Sequence, residues 1–334
     1  MKKSSRTVQS VFLFILLSPI VLVYFCVNMP GESISTGLSP LTNEQRELSY
    51  RLEQHVMKLA GEIGERNDSN PIAYNNAADF IAETLQESGL VPYEEELGDK
   101  LQYRNIIAEH YGITHPEELI IVGAHYDTVW LSSGADDNAS GVAVMLEIAR
   151  QLKTKQLART IRFVAFANEE YPHFLTDNMG SLFHAKRSYE REDKIIAMLS
   201  LEMLGYFSDE VDSQTYPSPL SWFYPNKANF IAFVSDFSSR HLLKKSIGIF
   251  RKSMSFPSEG LTAPVALIPD VRRSDQAAFW RYNYPAFMVT DTAAYRYNAY
   301  HNAKDAPDRL DYGAMTRVTT GLIAVLEELA GNER

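Results

Sequence analysis

Four side chains of the kind that bind metal ions lie close together in the segment GAHYDTVWLSSGADDN. They are His125, Asp127, Asp136 and Asp137. Because His125 and Asp127 are two residues apart at the end of a predicted strand, both project to the same side. Asp127 can then accept a hydrogen bond from the imidazole and fix its tautomer. The spacing predicts that His125 binds a metal and that Asp127 orients it.

Further acidic and histidine side chains come after other apolar runs, each of which predicts a buried strand. The runs cover residues 160–167, 195–201 and 285–290, and the side chains that follow them are Glu169, Glu170, Glu202 and, about ten residues beyond the third run, Tyr300 and His301. The carboxyl ends of parallel strands open into one crevice, so we expect these groups to meet there.

Five of these side chains are predicted metal ligands: His125, Asp137, Glu170, Glu202 and His301. A two-metal hydrolase needs about this many, with one carboxylate shared between ions about 3.5–4 Å apart. Nitrogen and oxygen ligands with open positions suit catalytic zinc, and manganese or cobalt remain alternatives.

The pair Glu169-Glu170 predicts a division of roles. One carboxylate binds metal, and its neighbour lies just outside the coordination sphere, where it can take a proton from the attacking water. The same group can later protonate the leaving amine. A solvated helix start is the ordinary interpretation of two adjacent glutamates, but their position directly after the apolar run IRFVAFA favours a catalytic role.

The elements around these residues predict an α/β fold. Strands that alternate with helical stretches are typical of a mostly parallel, twisted sheet with helices on both faces. Further strands are predicted at 91–97 and 103–110, and long loops at 206–227 and 250–264. A first helix begins at 43, apolar stripes predict helices around 77–85 and 142–152, and a last helix spans 312–330.

Composition limits the classes of function. The chain has 334 residues with 45% hydrophobic content, which suffices for one large domain over residues 43–334. A net charge of −10 argues against a nucleic-acid partner. The one cysteine, Cys26, precedes the predicted domain, so any metal must bind to nitrogen and oxygen.

The N-terminus has the charge order of an export signal. A basic segment, residues 1–10 with Lys2, Lys3 and Arg6, precedes an apolar segment at 11–29, and a polar linker covers 30–42. Positive residues stay in the cytoplasm. We therefore expect an exported protein, anchored in the inner membrane with its catalytic domain outside the cytoplasm. A cleaved signal peptide and a buried core helix are the alternatives.

Several ordered motifs together resemble a known family. GAHYDTV, GADDNASGVAVMLEIAR, IRFVAFANEE, LSLEMLGY and YHNAKDAPDRLDY are similar to the motifs of the co-catalytic zinc aminopeptidases, exported bacterial metallopeptidases related to glutamate carboxypeptidase and glutaminyl cyclase. The resemblance runs from about Asn105 to the C-terminus. It implies a zinc-peptidase-like fold, two zinc ions and peptide substrates cleaved at the N-terminus. It leaves the oligomeric state open. The expected membrane contact rests on the N-terminal segment itself.

The resemblance also implies individual roles. Asp137 would bridge the two metals, with His125 on one ion and Glu170 and His301 on the other. Glu169 would be the general base, and the hydroxyl of Tyr300 would stabilise the oxyanion. Glu202 departs from the family pattern, because the best-known members carry Asp at this position.

Two other functions remain open. A glutaminyl cyclase of related fold would use one working zinc. As a family, however, those enzymes pair a Trp with the final His and lack the Asn after the ligand Asp. Tyr300 and Asn138 therefore favour the peptidase. A non-catalytic ectodomain of the same fold would be expected to have lost ligands, whereas all five positions are filled.

Overall fold

The computed structural model describes residues 21–34, 37–98 and 103–331. Within these ranges eight strands form one sheet, in the order β1-β2-β4-β3-β5-β8-β6-β7. The strands are β1 (Tyr93–Glu96), β2 (Arg104–His110), β3 (His115–His125), β4 (Arg159–Phe166), β5 (Lys194–Glu202), β6 (Ile231–Ser235), β7 (Ser258–Thr262) and β8 (Ala286–Thr290).

Helices of the described chain cover this sheet. They are α1 (Asn43–Val56), α2 (Pro71–Glu87), α3 (Gly141–Leu152), α4 (Gly180–Glu190), α5 (Arg240–Ser253), α6 (Gln276–Trp280) and α7 (Tyr312–Ala330), with a π-helical turn at Met57–Ile63 continuing α1. A capping box fixes the start of α1: the Thr42 hydroxyl accepts from the Gln45 N–H, and the Gln45 side chain accepts from the Thr42 N–H.

The sheet is mixed rather than mostly parallel. Its centre, β4-β3-β5-β8, is parallel, while β1 and β2 at one edge and β6 beside β8 are antiparallel. Alternate residues of β3 pack into different cores. Ile120 and Val122 face the core that includes α3 and α7, and Leu119 and Ile121 face the one that includes α4. Helices on both faces, as predicted, explain why the central strands are apolar throughout.

One predicted loop contains regular structure. The end of α5 and the strand β7 both lie inside 250–264, which the sequence predicted to be irregular. The strand has the sequence SEGLT, in which the buried positions are Ser258, Gly260 and Thr262. Because these buried residues are small and none is a large apolar residue, the sequence shows no apolar alternation from which a strand could be predicted.

Most of the predicted membrane segment 11–29 lies outside the described residues, which begin at Val21. Residues 21–27 are helical. In the ranges that the structure describes, no helix combines the length and apolar character needed to cross a membrane. The division of the chain at residues 10, 29 and 42 remains a prediction.

Candidate metal centre

The carboxyl ends of the central strands carry the predicted site. His125 is the last residue of β3, and its Nδ1 lies 3.4 Å from Oδ1 of Asp127. The two oxygens of Asp127 also accept hydrogen bonds from the backbone N–H groups of Glu169 and Glu170, each at 3.0 Å. Asp127 thus holds the turn after β4 against the end of β3.

The turn before α3 places Asp137. The carboxylate of Asp305 accepts from the backbone N–H groups of Asp136 (2.9 Å) and Asp137 (3.1 Å). The buried Asn138 donates to the carbonyl of Leu201 at 2.8 Å and accepts from the N–H of Met203 at 3.0 Å. These bonds join the turn to the end of β5, where Glu202 lies.

A fully buried arginine fixes the loop that leads into this turn. Hydrogen bonds run from the Arg66 guanidinium to five backbone carbonyls: Leu59, Gly64, Tyr126, Ser133 and Gly134. A buried cation is costly unless oxygen atoms accept from its N–H groups, so these carbonyls fix the position of the guanidinium. Both ends of the loop 126–134 are held by a single side chain.

The five predicted ligands meet in two groups that share Asp137. Oδ1 of Asp137 and Oε2 of Glu202 each lie 3.3 Å from Nε2 of His125. Oδ2 of Asp137 lies 3.1 Å from Nε2 of His301, which is 3.4 Å from Oε1 of Glu170. Within each group the candidate ligand atoms are all within 4.8 Å of one another.

These side chains fit a metal ion. Among the described residues, Nε2 of His125, both oxygens of Asp137 and Oε1 of Glu170 are buried without a hydrogen-bond partner. Buried polar atoms are normally paired, and atoms that converge in this way can be satisfied by a cation. The donors are nitrogen and oxygen, in keeping with zinc.

The electrostatics of the cluster point the same way. Burial, reinforced by Asp137, raises the pKa of Glu170 to about 7. Although burial lowers the pKa of His301, the carboxylates of Asp137 and Glu170 that face its imidazole raise this pKa to about 10. Carboxylates in excess therefore hold protons on their neighbours, and a divalent cation can replace those protons.

Two predicted catalytic groups border the cluster. Glu169 is buried, and burial raises the pKa of its carboxyl well above the usual range, opposed by His125 and reinforced by Glu170. The Tyr300 ring stacks on that of His301 with centroids 3.7 Å apart. Burial and the nearby carboxylates raise the pKa of the Tyr300 hydroxyl, which keeps it a hydrogen-bond donor.

The structure adds residues that the sequence analysis did not identify as functional. Asp305 lies inside the quoted motif YHNAKDAP, four residues after His301, and could have been noticed there. Arg66 and Ser274 gave no signal, because each lies in an irregular segment far along the chain from its partner. The Ser274 hydroxyl donates to Oε2 of Glu202 at 2.7 Å, which orients this longer ligand.

Comparison with known proteins shows which family the chain belongs to. The sequence profile of peptidase family M28 matches residues 105–326. The uncharacterized protein YfbL of Escherichia coli (strain K12) is 34% identical over 327 residues, covering 95% of this chain and 96% of that relative. The chain belongs to peptidase family M28. The predicted class of enzyme, a zinc-dependent metallopeptidase related to the zinc aminopeptidases, is thereby confirmed.

Other relatives are similar in part. Aminopeptidase YwaD of Bacillus subtilis (strain 168) is 40% identical over 172 residues, which are 51% of this chain and 36% of that protein. BSAP, a zinc aminopeptidase from Bacillus subtilis, superposes with a TM-score of 0.65 at 16% identity, over 84% of this chain and 95% of that one. Glutaminyl cyclase of Bacteroides thetaiotaomicron superposes with a TM-score of 0.62 at 17% identity, over 86% of this chain and 98% of that one. At these identities the two structures show a shared fold.

Arg66 supplies a test of how this M28 site is held. Arg66→Lys leaves one ammonium, with three donors, for five carbonyls, so at least two carbonyls lose their partner. At about 1–3 kcal/mol for each unsatisfied group, we expect the free energy of unfolding to fall by several kcal/mol. Urea denaturation measures it. Arg51→Lys, on the exposed side of α1, is the control and should change little; equal stability of the two variants would contradict this role for Arg66.

Proposed function

We propose that this protein is an exported, metal-dependent aminopeptidase that hydrolyses N-terminal peptide bonds at a two-zinc site. One observation carries the proposal: the two oxygens of Asp137 face two different histidines, His125 and His301, each with a further carboxylate beside it. A shared carboxylate between two ligand groups is the arrangement that a pair of metal ions requires.

The ligands divide between the two ions accordingly. His125, Asp137 and Glu202 would hold one zinc, and Asp137, Glu170 and His301 the other. When bound, the zinc pair would polarise the scissile carbonyl and lower the pKa of the water that attacks it. The protein then has to supply a base, a proton for the leaving group and a place for the substrate amine.

Glu169 is the group that moves the proton. Its backbone N–H is fixed by Asp127, and its side chain lies beside His125 and Glu170 without belonging to the group that contains His301. The carboxylate accepts a proton from the attacking water and returns it to the leaving amine. Together with Glu202 it also offers negative charge to the α-ammonium group of the substrate.

Tyr300 acts on the substrate oxygen. Its hydroxyl stays protonated, and Tyr300 lines, with Glu202, the mouth of a cleft next to the ligands. A fixed donor at this place stabilises the negative charge that develops on the carbonyl oxygen.

The aminopeptidase activity is also supported by relatives whose names state it, among them aminopeptidase YwaD. Asn138 further favours a peptidase, because the cyclases of related fold lack an Asn after the ligand Asp. In this structure its side-chain amide holds the metal turn on β5. Residues 138–140, Asn-Ala-Ser, formally match a glycosylation sequence. Asn138 is fully buried, however, and a glycan cannot be attached to a buried side chain.

Two adjacent substitutions test these roles. Glu170→Ala removes a ligand, so one zinc per chain and the activity with it should be lost. Glu169→Gln leaves all five ligands, so the zinc content should stay near that of the wild type while kcat falls by about 10²–10⁴-fold. Metal stoichiometry by mass spectrometry and kinetics on a leucine anilide measure both. Loss of zinc from Glu169→Gln but not from Glu170→Ala would show that the roles are reversed.

The role of Glu169 as a base also predicts how activity depends on pH. Because Glu169 acts as a base only when ionised, and burial raises its pKa, activity should fall as the pH drops through that raised pKa. The acidic limb of the kcat/KM profile should be absent from Glu169→Gln. A limb of unchanged shape in that variant would assign it to another group.

Export rests on the charge order of the N-terminus, with Lys2, Lys3 and Arg6 before an apolar segment. Alkaline phosphatase fused after Ser39 should be active, because this enzyme forms its disulfides only in an oxidising compartment. A cytoplasmic reporter fused at the same site should be inactive. The opposite pattern of the two reporters would contradict the proposed location.

A further inference from the structure

A cleft opens beside the ligand cluster, on the face of the sheet formed by β8, β6 and β7. Its volume is about 120 Å³, and Glu202 and Tyr300 are among the residues that line it. Its walls are apolar, with Phe230, Val234 and Met288 among them. An apolar cleft with a few polar groups, next to the proposed amine site, suits the side chain of the substrate's first residue.

The strand register puts a carboxylate at each end of the cleft floor. Glu202 on β5 pairs with Thr290 on β8, Thr290 with Ala232 on β6, and Ala232 with Glu259 on β7. Directly paired residues project from the same face of a sheet, and all four line the cleft. The short side chains of Thr290 and Ala232 leave the space between the two glutamates open.

The spacing of the two glutamates along the cleft floor, estimated from their Cα atoms, matches the length of a particular kind of side chain. Three inter-strand spacings of about 4.8 Å place the Cα atoms of Glu202 and Glu259 roughly 14 Å apart. In an extended lysine the α-nitrogen and Nζ are about 7 Å apart, since six bonds of about 1.5 Å follow a zigzag. The remaining distance of about 7 Å leaves room for one charge-assisted hydrogen bond of about 2.8 Å at each end.

Glu259 is free to accept such a bond. Its side chain is 21% exposed, and its contact with Arg251 is long, at 3.7 Å. Arg251 is occupied with the Ser258 side chain and carbonyl and with the carbonyls of Pro30 and Gly31. Burial raises the pKa of Glu259, opposed by Arg251 and by the Ser33 hydroxyl. A cation in the cleft would relieve this cost of burial.

The other charges of the cleft favour a cation as well. Arg273 forms an ion pair with Asp270 at 2.7 Å, so the charges of these two lining residues cancel. Arg296 lies behind the wall, where it donates to the Gln214 side chain and to the carbonyl of Phe230. Glu259, whose partner Arg251 is not among the residues that line the cleft, is therefore the carboxylate available to a cation at the far end of the cleft.

We infer that the cleft selects peptides whose first residue is lysine or arginine, with the aliphatic stem on the apolar walls and the cationic end on Glu259. This inference rests on the proposed aminopeptidase function, since it places the α-ammonium group beside Glu202. An acidic first residue is disfavoured, because its carboxylate would face the carboxylate of Glu259.

The test compares substrates that differ only in the terminal charge. The zinc-loaded protein should cleave lysine p-nitroanilide with a kcat/KM about 10–100-fold above that of the norleucine anilide, whose stem is the same but uncharged. Glu259→Gln should reduce this ratio towards one, and Glu259→Asp, which keeps the charge, should retain part of it. Glu83→Gln, an exposed carboxylate on α2, controls for net charge and should leave the ratio unchanged.

Equal cleavage of the lysine and norleucine anilides, or an unchanged ratio in Glu259→Gln, would overturn the inference. Failure to cleave any anilide would instead contradict the proposed function. In that case calorimetric titration of the zinc-loaded protein with lysinamide and norleucinamide decides the preference of the cleft without turnover. Tighter binding of lysinamide that depends on Glu259 supports the inference, and equal binding overturns it.

Discussion

The carboxylate of Asp137 stands between two histidines that come from distant parts of the chain, and the arrangement of the crevice depends on it. His125 ends β3, and His301 follows β8 in an irregular segment. Each histidine brings a further carboxylate, so the crevice collects more acidic groups than the surrounding protein can neutralise. Such a cluster is stable only if protons or metal ions balance its charge, and the unpaired ligand atoms indicate that metal does so.

The support of this carboxylate is rigid. Asp305 and Asn138 hold the turn on either side of Asp137, and Arg66 ties the preceding loop to the backbone of the π-helical turn. None of the three is a proposed ligand. Their hydrogen bonds keep the ligands converged before metal binds, which reduces the reorganisation that binding requires. Ser274 does the same for Glu202, whose side chain is one methylene longer than the aspartate of the resembling enzymes.

Much of this site was predictable because strand ends are visible in the sequence. The apolar runs before His125, Glu169 and Glu202 mark buried parallel strands, and a polar residue directly after such a run must lie at the edge of the sheet. The ends of α7 were predictable too, since Asp311 caps its first turn and Gly331 follows its last residue.

What the sequence did not reveal depends on contacts between distant segments. Arg66 has no local pattern, because its acceptors are backbone carbonyls, which every residue carries. The strand β7 lacks apolar alternation, yet its register puts Glu259 in line with Glu202 across the two strands β8 and β6. The proposed substrate preference could therefore be derived only after the pairing of the strands was known.

The central claim, a pair of metal ions bridged by Asp137, is tested most directly by anomalous diffraction from crystals of the zinc-loaded protein at the zinc edge. The account predicts two peaks about 3.5–4 Å apart, both in contact with Asp137. One peak should lie on His125 and Glu202 and the other on Glu170 and His301. A single peak at full zinc occupancy, or two peaks that do not share Asp137, would contradict it.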